Sequence, residues 1–298
     1  MRSLRQILSH TQGCGVALGH FNVSDLTLLQ AVSAGARELG VPVLIGVSEG
    51  ERSFLGTQQI AALVKSLREQ YDFEIFLNAD HTHSLAKAEE AVAAGFDSVV
   101  FDLSALRPEE NARETKRAVE VLKSKNTSVL IEGEIGDIGT GSEIHDRAPD
   151  LRPNLTSPEE ARQFVAFTGV DVLAPAVGNM HGMLNAMVSG ATRKHLDFER
   201  IRQIKAATGT FLTLHGASGT DDRDLMGAIA AGINIVHINT ELRLAWRRAL
   251  DDSLARQPGE VVPYKLLPPV VETVKQVVRS RLELFNRPQQ SADTQLAS

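Results

Sequence analysis

The feature that most restricts how this chain can fold is an alternation repeated eight times. Short, nearly continuous apolar runs lie at 16–22, 42–48, 73–79, 98–103, 128–134, 171–177, 211–216 and 234–239. Each is followed by a stretch with helical periodicity, near 25–39, 57–70, 84–94, 109–124, 158–168, 198–208, 221–231 and 241–255. Runs without polar alternation read as strands buried on both faces, the habit of parallel sheets. Eight such units predict an α/β fold, a closed TIM (β/α)8 barrel forming a single domain over 1–286. A doubly wound open sheet is the competing architecture, but no GxGxxG turn follows the first strand. An extra C-terminal amphipathic helix is expected at 269–285, and 287–298 (RPQQSADTQLAS) reads as a disordered tail.

Local punctuation agrees with this register. Ser24 is placed to cap the helix that starts at Asp25, and Ser157 precedes Pro158 at a first helical position. Gly95 and Gly232 stand where helices stop before strands. Two long polar interruptions, 136–156 and 178–196, exceed ordinary connections and are expected to be functional loops.

Composition narrows the partners. Net charge is −6 and no basic stripe occurs, so nucleic acid is not an expected partner. An acidic chain that binds phosphate must concentrate positive potential locally, from a metal, helix N-termini or backbone N–H groups. The single cysteine, Cys14, excludes a disulfide within the chain and fits a reducing compartment. The opening segment MRSLRQILSHTQGCG lacks the apolar run of a secretion signal, and no stretch of about 18 apolar residues occurs. A cytoplasmic protein without a membrane partner is expected.

In a barrel, chemistry collects at the C-terminal ends of the strands. Here every strand end turns polar: His20 and Asn22; Ser48; Asn78, Asp80 and His81; Asp102 and Ser104; Glu132 and Glu134; Asn179 and His181; His215 and Ser218; His237, Asn239 and Thr240. His81, His181 and His215 sit on the third, sixth and seventh ends, and three imidazoles could hold zinc with a coordination position left open. Alone, each would read as a hydrogen-bonded rim histidine. Asp80 could orient an imidazole or act as general acid and base. Glu132 and Glu134 alternate along one strand and should share a face. The turns after the seventh and eighth strands are the usual phosphate cradle of this architecture.

These motifs in order, Asn78-Ala79-Asp80-His81, Glu132-Gly133-Glu134, GNMHG at 178–182, Leu214-His215-Gly216-Ala217-Ser218 and Asn239-Thr240-Glu241-Leu242, resemble the class II, metal-dependent fructose-bisphosphate and tagatose-bisphosphate aldolases from about residue 4 to 286. The resemblance implies zinc-dependent cleavage of fructose 1,6-bisphosphate to dihydroxyacetone phosphate and glyceraldehyde 3-phosphate. It implies His81, His181 and His215 as zinc ligands, with Asp102 and Glu134 at an alternative metal position. Asp80 becomes the acid and base, and Glu143 the mobile-loop carboxylate that moves the carbon-bound proton. Gly182, Gly216, Ser218, Asn239 and Thr240 become the phosphate and triose set, joined at the same rim by Asn22, Ser48, Ala217 and His237. A sodium or potassium ion near the phosphate, a sugar-phosphate substrate, and a homodimer or homotetramer complete what it implies.

Three departures bear on substrate. His237 stands where the family often has asparagine. After Gly182 the text is Met183-Leu184-Asn185, with no lysine until Lys194, where the family often has an aromatic residue and a lysine. Residues 46–52 lack the usual glutamine. Tagatose 1,6-bisphosphate, another ketose phosphate, and a non-catalytic sugar-phosphate-binding relative therefore remain open. A metal hydrolase would share the histidines but would not need the phosphate cradle. A Schiff-base aldolase needs a lysine within the barrel, and none falls on an expected strand end.

Overall fold

The computed structural model describes residues 1–139, 141, 143–146 and 155–287. The tail expected at 287–298 lies outside the described residues from 288 onward, as do 140, 142 and 147–154 of the 136–156 loop. Eight parallel strands close into a barrel: β1 (Leu18–Asn22), β2 (Val43–Val47), β3 (Ile75–Thr82), β4 (Ser98–Phe101), β5 (Leu130–Ile135), β6 (Val172–Pro175), β7 (Phe211–Leu214) and β8 (Ile233–Ile238). The seam is β1 against β8, with His20 opposite His237 in register. This is the TIM barrel expected from the alternation.

The expected helices form around it, including the C-terminal Pro268–Phe285, whose Val270, Val274, Val278 and Leu282 make one buried stripe. Ser157 caps its helix in a reciprocal box with Glu160. The cap of Leu26–Leu39 is Asp25 rather than Ser24, because the helix begins one residue later and the Asp25 carboxylate accepts from Leu28 N at 2.7 Å. Among the described residues no helix is long and apolar enough to cross a membrane.

The helix Leu4–Gly13 was not expected. Leu4, Ile7 and Leu8 enter the bottom of the barrel against Leu18, Leu44, Phe76, Leu130, Val172 and Ile235. Each such buried side chain contributes about 1.5–3 kcal/mol. The strand interior is therefore a sealed apolar plug below, which leaves His20, Asn78, Glu132 and His237, two positions further along β1, β3, β5 and β8, on the side of the upper mouth. A second unexpected helix, Glu49–Leu55, follows β2 and is capped by Ser48 in a box with Glu51. A two-stranded parallel patch joins 144–145 to 183–184, so the two long loops lie together over the mouth.

Candidate active site

The site is built first by an irregularity in β3. Successive strand residues point to opposite faces, so Asp80 and His81 could not both enter a regular barrel mouth. The pairing of β3 with β4 shifts register between Ala79 and Thr82, and His81 adopts φ 36°, a left-handed conformation rare outside glycine. Both side chains thereby reach the mouth. Arg52, buried on the helix Glu49–Leu55 that follows β2, steadies the irregularity by donating to the Asp80 carbonyl at 3.2 Å and to Thr82 Oγ1 at 3.0 Å.

Three imidazoles then converge. Ligand-capable atoms of His81, His181 and His215 lie within 4.8 Å of one another. Each ring has one nitrogen engaged outside the cluster. His81 Nδ1 is 2.8 Å from Asp102 Oδ2, His181 Nδ1 is 2.7 Å from the Gly139 carbonyl, and His215 Nε2 is 2.7 Å from Glu132 Oε1. Oxygen acceptors at those positions place the protons there and aim the remaining lone pairs, His81 Nε2, His181 Nε2 and His215 Nδ1, at one point. His81 Nε2 and His215 Nδ1 face each other at 3.1 Å. Two nitrogens on one tetrahedral zinc, each at 2.0–2.1 Å, stand about 3.3 Å apart. The donor set fits a divalent ion.

Electrostatics divide the groups. Burial and the neighbouring His81 charge push His215 well below its ordinary pKa and His181 down to about 4. Burial also opposes charge on His81, but Asp80, the bond to Asp102 and Glu134 outweigh it and raise His81 to about 10. Burial opposes ionisation of Asp80 as well, and His81, His237 and His20 overcome it to hold the carboxylate well below its usual range. Burial, then Asp102, drives Glu134 well above its usual range. Asp80 Oδ2 accepts from Asn22 Nδ2 at 2.8 Å, while Oδ1 has no hydrogen-bond donor and faces the cleft. An ionised, oriented carboxylate with one free oxygen is what a general base requires.

The opposite side of the cleft suits an anion. Gly216 has φ 60°, and a side chain there would collide with the Met180 carbonyl, so glycine lets the loops after β6 and β7 touch. Ser218 Oγ lies 3.2 Å from Asn239 N and 3.4 Å from Glu241 N, fastening that loop to the first turn of Thr240–Arg256. The helix N-terminus thus opens where Gly182, Gly216, Asn239 and Thr240 line the cleft.

This layout, three convergent histidines beside a poised carboxylate and an anion cradle, coincides with what comparison finds. The family model for class II fructose-bisphosphate aldolase matches residues 2–290. A probable fructose-bisphosphate aldolase of Bacillus subtilis is 32% identical over 97% of this chain and 99% of its own. The chain belongs to the class II fructose-bisphosphate aldolase family. A fructose-bisphosphate aldolase of Thermus caldophilus is 33% identical over 94% of this chain and 96% of its own. Among solved structures, the YdjI aldolase of Escherichia coli K12 superposes with a TM-score of 0.81 at 27% identity, covering 97% of this chain and 98% of that one. The family makes this protein a metal-dependent lyase acting on sugar phosphates.

Against that family pattern, most expected residues meet in one cleft: Asn22, Asp80, His81, His181, His215 and His237 on one side, Gly182, Gly216, Ser218, Asn239 and Thr240 on the other. Asp102 and Glu134 lie just behind His81, within ligand distance of it. Ser48 and Ala217 stand outside the lining. Ser48 caps Glu49–Leu55, and Ala217 is buried beneath the turn. The Glu143 side chain is exposed and is not among the residues lining the cleft, while its backbone carbonyl accepts from Met183 N at 3.0 Å.

Several contributors were given no role from sequence. Glu51 is buried and holds Asn22 at 3.0 Å and Arg243 at 2.7 Å, so it orients the amide that orients Asp80. The Ser48-to-Glu51 capping box was a visible signal for it. His20 stacks on His237 with centroids 3.4 Å apart, a packing that glycine at 46 permits because a side chain there would occupy the ring's space. Lys194 is buried, and Nζ donates to the carbonyls of Met180, Gly182, Gly216 and Ser218 at 2.6–2.8 Å.

Proposed function

We propose that this chain cleaves fructose 1,6-bisphosphate reversibly to dihydroxyacetone phosphate and glyceraldehyde 3-phosphate, with zinc held by His81, His181 and His215. The observation that carries this reading is the convergence of ligand-capable atoms of His81, His181 and His215 within 4.8 Å, with the other nitrogen of each ring held by an oxygen acceptor. When bound, such an ion supplies Lewis-acid polarisation of the substrate carbonyl. Asp102, Glu132 and the Gly139 carbonyl fix the three rings. Asp80 Oδ1 takes the proton of the C4 hydroxyl as the C3–C4 bond breaks, and returns it to the aldehyde oxygen in condensation. Asn22 keeps Oδ2 occupied so that Oδ1 is the reacting oxygen. Gly182, Gly216, Ser218, Asn239 and Thr240, gathered at the N-terminal end of Thr240–Arg256, take the phosphate of the triose half. Glu143 serves as the loop carboxylate for the carbon-bound proton only if its loop folds over the cleft when substrate is present. Cytoplasmic location and self-association as a dimer or tetramer belong to the same reading.

A second substrate is favoured by one observation. His237 fills the position next to Asp80, its Nδ1 3.6 Å from Oδ1, where the family often carries a smaller amide. The C4 hydroxyl meets Asp80, and tagatose 1,6-bisphosphate differs from the fructose ester at that carbon. A coupled assay of triose phosphate release from both esters, before chelation, after it and after zinc is restored, tests both readings. Cleavage that vanishes with chelator and returns with zinc supports the zinc aldolase. Failure of both esters in zinc-loaded protein removes it.

A further inference from the structure

Lys194 lies in the long loop after β6 and has an unusual set of partners. Four backbone carbonyls, those of Met180, Gly182, Gly216 and Ser218, surround Nζ at 2.8, 2.8, 2.7 and 2.6 Å. An ammonium has three N–H bonds, so four converging oxygens exceed what hydrogen bonding alone uses. A cage of inward-turned carbonyl oxygens is the surrounding that a bare monovalent cation takes when it sheds water. The side chain is 4% exposed, and no carboxylate forms an ion pair with it among the described residues. Lys194 is pinned in place by a β-bridge to Thr220.

The place of this cage matters as much as its shape. Its walls are the loops after β6 and β7, and three of its four carbonyls belong to Gly182, Gly216 and Ser218, which also line the cleft. The carbonyl dipoles put negative ends beside a phosphate site in a chain of net charge −6. Without a cation they would repel both one another and the phosphate.

Building on the aldolase reading, we infer that Lys194 is a tethered replacement for the monovalent cation: its ammonium fills the carbonyl cage next to the triose phosphate and makes sodium or potassium unnecessary. The ion implied by resemblance and the ammonium cannot share the cage, because Nζ already stands within hydrogen-bond distance of all four oxygens. Burial lowers the Lys194 pKa from its ordinary value to about 7, with Glu241 opposing the fall, and the four carbonyl dipoles favour the charged form. Lys194 therefore positions the two loops and adds positive potential without touching the reacting atoms.

The test uses the zinc-loaded protein and its Lys194→Met variant in chlorides of potassium, sodium, ammonium and choline at equal ionic strength. Initial rates, dihydroxyacetone phosphate affinity by calorimetry, and Tm are measured in each. Wild type is expected to respond alike to all four salts. In choline, Lys194→Met is expected to bind dihydroxyacetone phosphate roughly tenfold or more weakly and to melt earlier, since four buried carbonyls lose their partner. Potassium or ammonium should restore both, saturably. Saturable activation of wild type by potassium or sodium overturns the inference, and so does a Lys194→Met variant indifferent to cation identity. If the variant does not fold in choline, recovery of folded protein in potassium supports the inference, and the wild-type arm still stands. Melting needs no turnover. An inactive wild type whose variant alone melts in a cation-dependent way would therefore retain the tethered cation while removing the aldolase reading.

Discussion

The lower and upper halves of the barrel interior are made by the same strands, two residues apart, and obey opposite rules. Below, Leu18, Leu44, Phe76, Leu130, Val172 and Ile235 meet Leu4, Ile7 and Leu8 of the N-terminal helix in a dry apolar seal. Above, His20, Asn78, Asp80, Glu132, Glu134 and His237 are buried with equal completeness. There His20 Nδ1, Asp80 Oδ1, Glu134 Oε2 and His237 Nε2 lack hydrogen-bond partners. Buried polar atoms without partners cost about 1–3 kcal/mol each. They persist above because the seal below and the helices outside hold the strands in place. The difference separates residues that keep the barrel closed from residues that are held ready for a ligand.

Substitutions in the two halves should therefore fail in different ways. The largest effect is expected from Asp80→Asn, which keeps shape and removes the base: kcat should fall roughly 10²–10⁴-fold while Tm and zinc content stay near wild type. Steady-state kinetics beside metal analysis checks this, and a near-normal kcat would remove Asp80 from the chemistry. Next is Phe76→Ala in the seal. It should cost about 3–5 kcal/mol of stability with little change in kcat per folded molecule. Urea unfolding followed by assay of the folded fraction decides, and a selective loss of kcat would dissolve the distinction between the halves.

A smaller effect is expected from Glu132→Gln, which weakens the bond that orients His215. Zinc affinity should drop roughly tenfold, since partners that orient ligand histidines contribute on that scale. Competition with a calibrated chelator measures it. The smallest is a protonic signature. In the metal-free protein His81, raised to about 10, carries a proton at neutral pH, while His181, near 4, and His215, well below its ordinary value, do not. Zinc requires all three neutral. Binding at pH 7 should release about one proton, and affinity should rise with pH until His81 deprotonates unaided. Calorimetry in buffers of different ionisation enthalpy counts it. Uptake of a proton would contradict the arrangement.

What the sequence makes legible follows the same division. The barrel was readable because apolar runs and helical periodicity are local patterns, and each barrel strand begins within two residues of its expected place. The histidines were readable because strand ends converge in any such barrel. The N-terminal seal was not, because Leu4, Ile7 and Leu8 form too short a stripe to separate from a frayed leader. The entry of both Asp80 and His81 into the mouth depends on a register shift that no residue type announces. Lys194 was passed over because its partners are carbonyls, which every residue has. Glu143 shows the reverse: a residue type that fits the family stands outside the cleft.

The central claim is that three histidines, through specified atoms, hold one divalent ion beside Asp80. Anomalous diffraction at the zinc edge from zinc-loaded crystals tests it most directly. The account predicts one strong peak within bonding distance, about 2.0–2.1 Å, of His81 Nε2, His181 Nε2 and His215 Nδ1. A zinc peak elsewhere, or bonding through His215 Nε2 with Glu132 displaced, would contradict it.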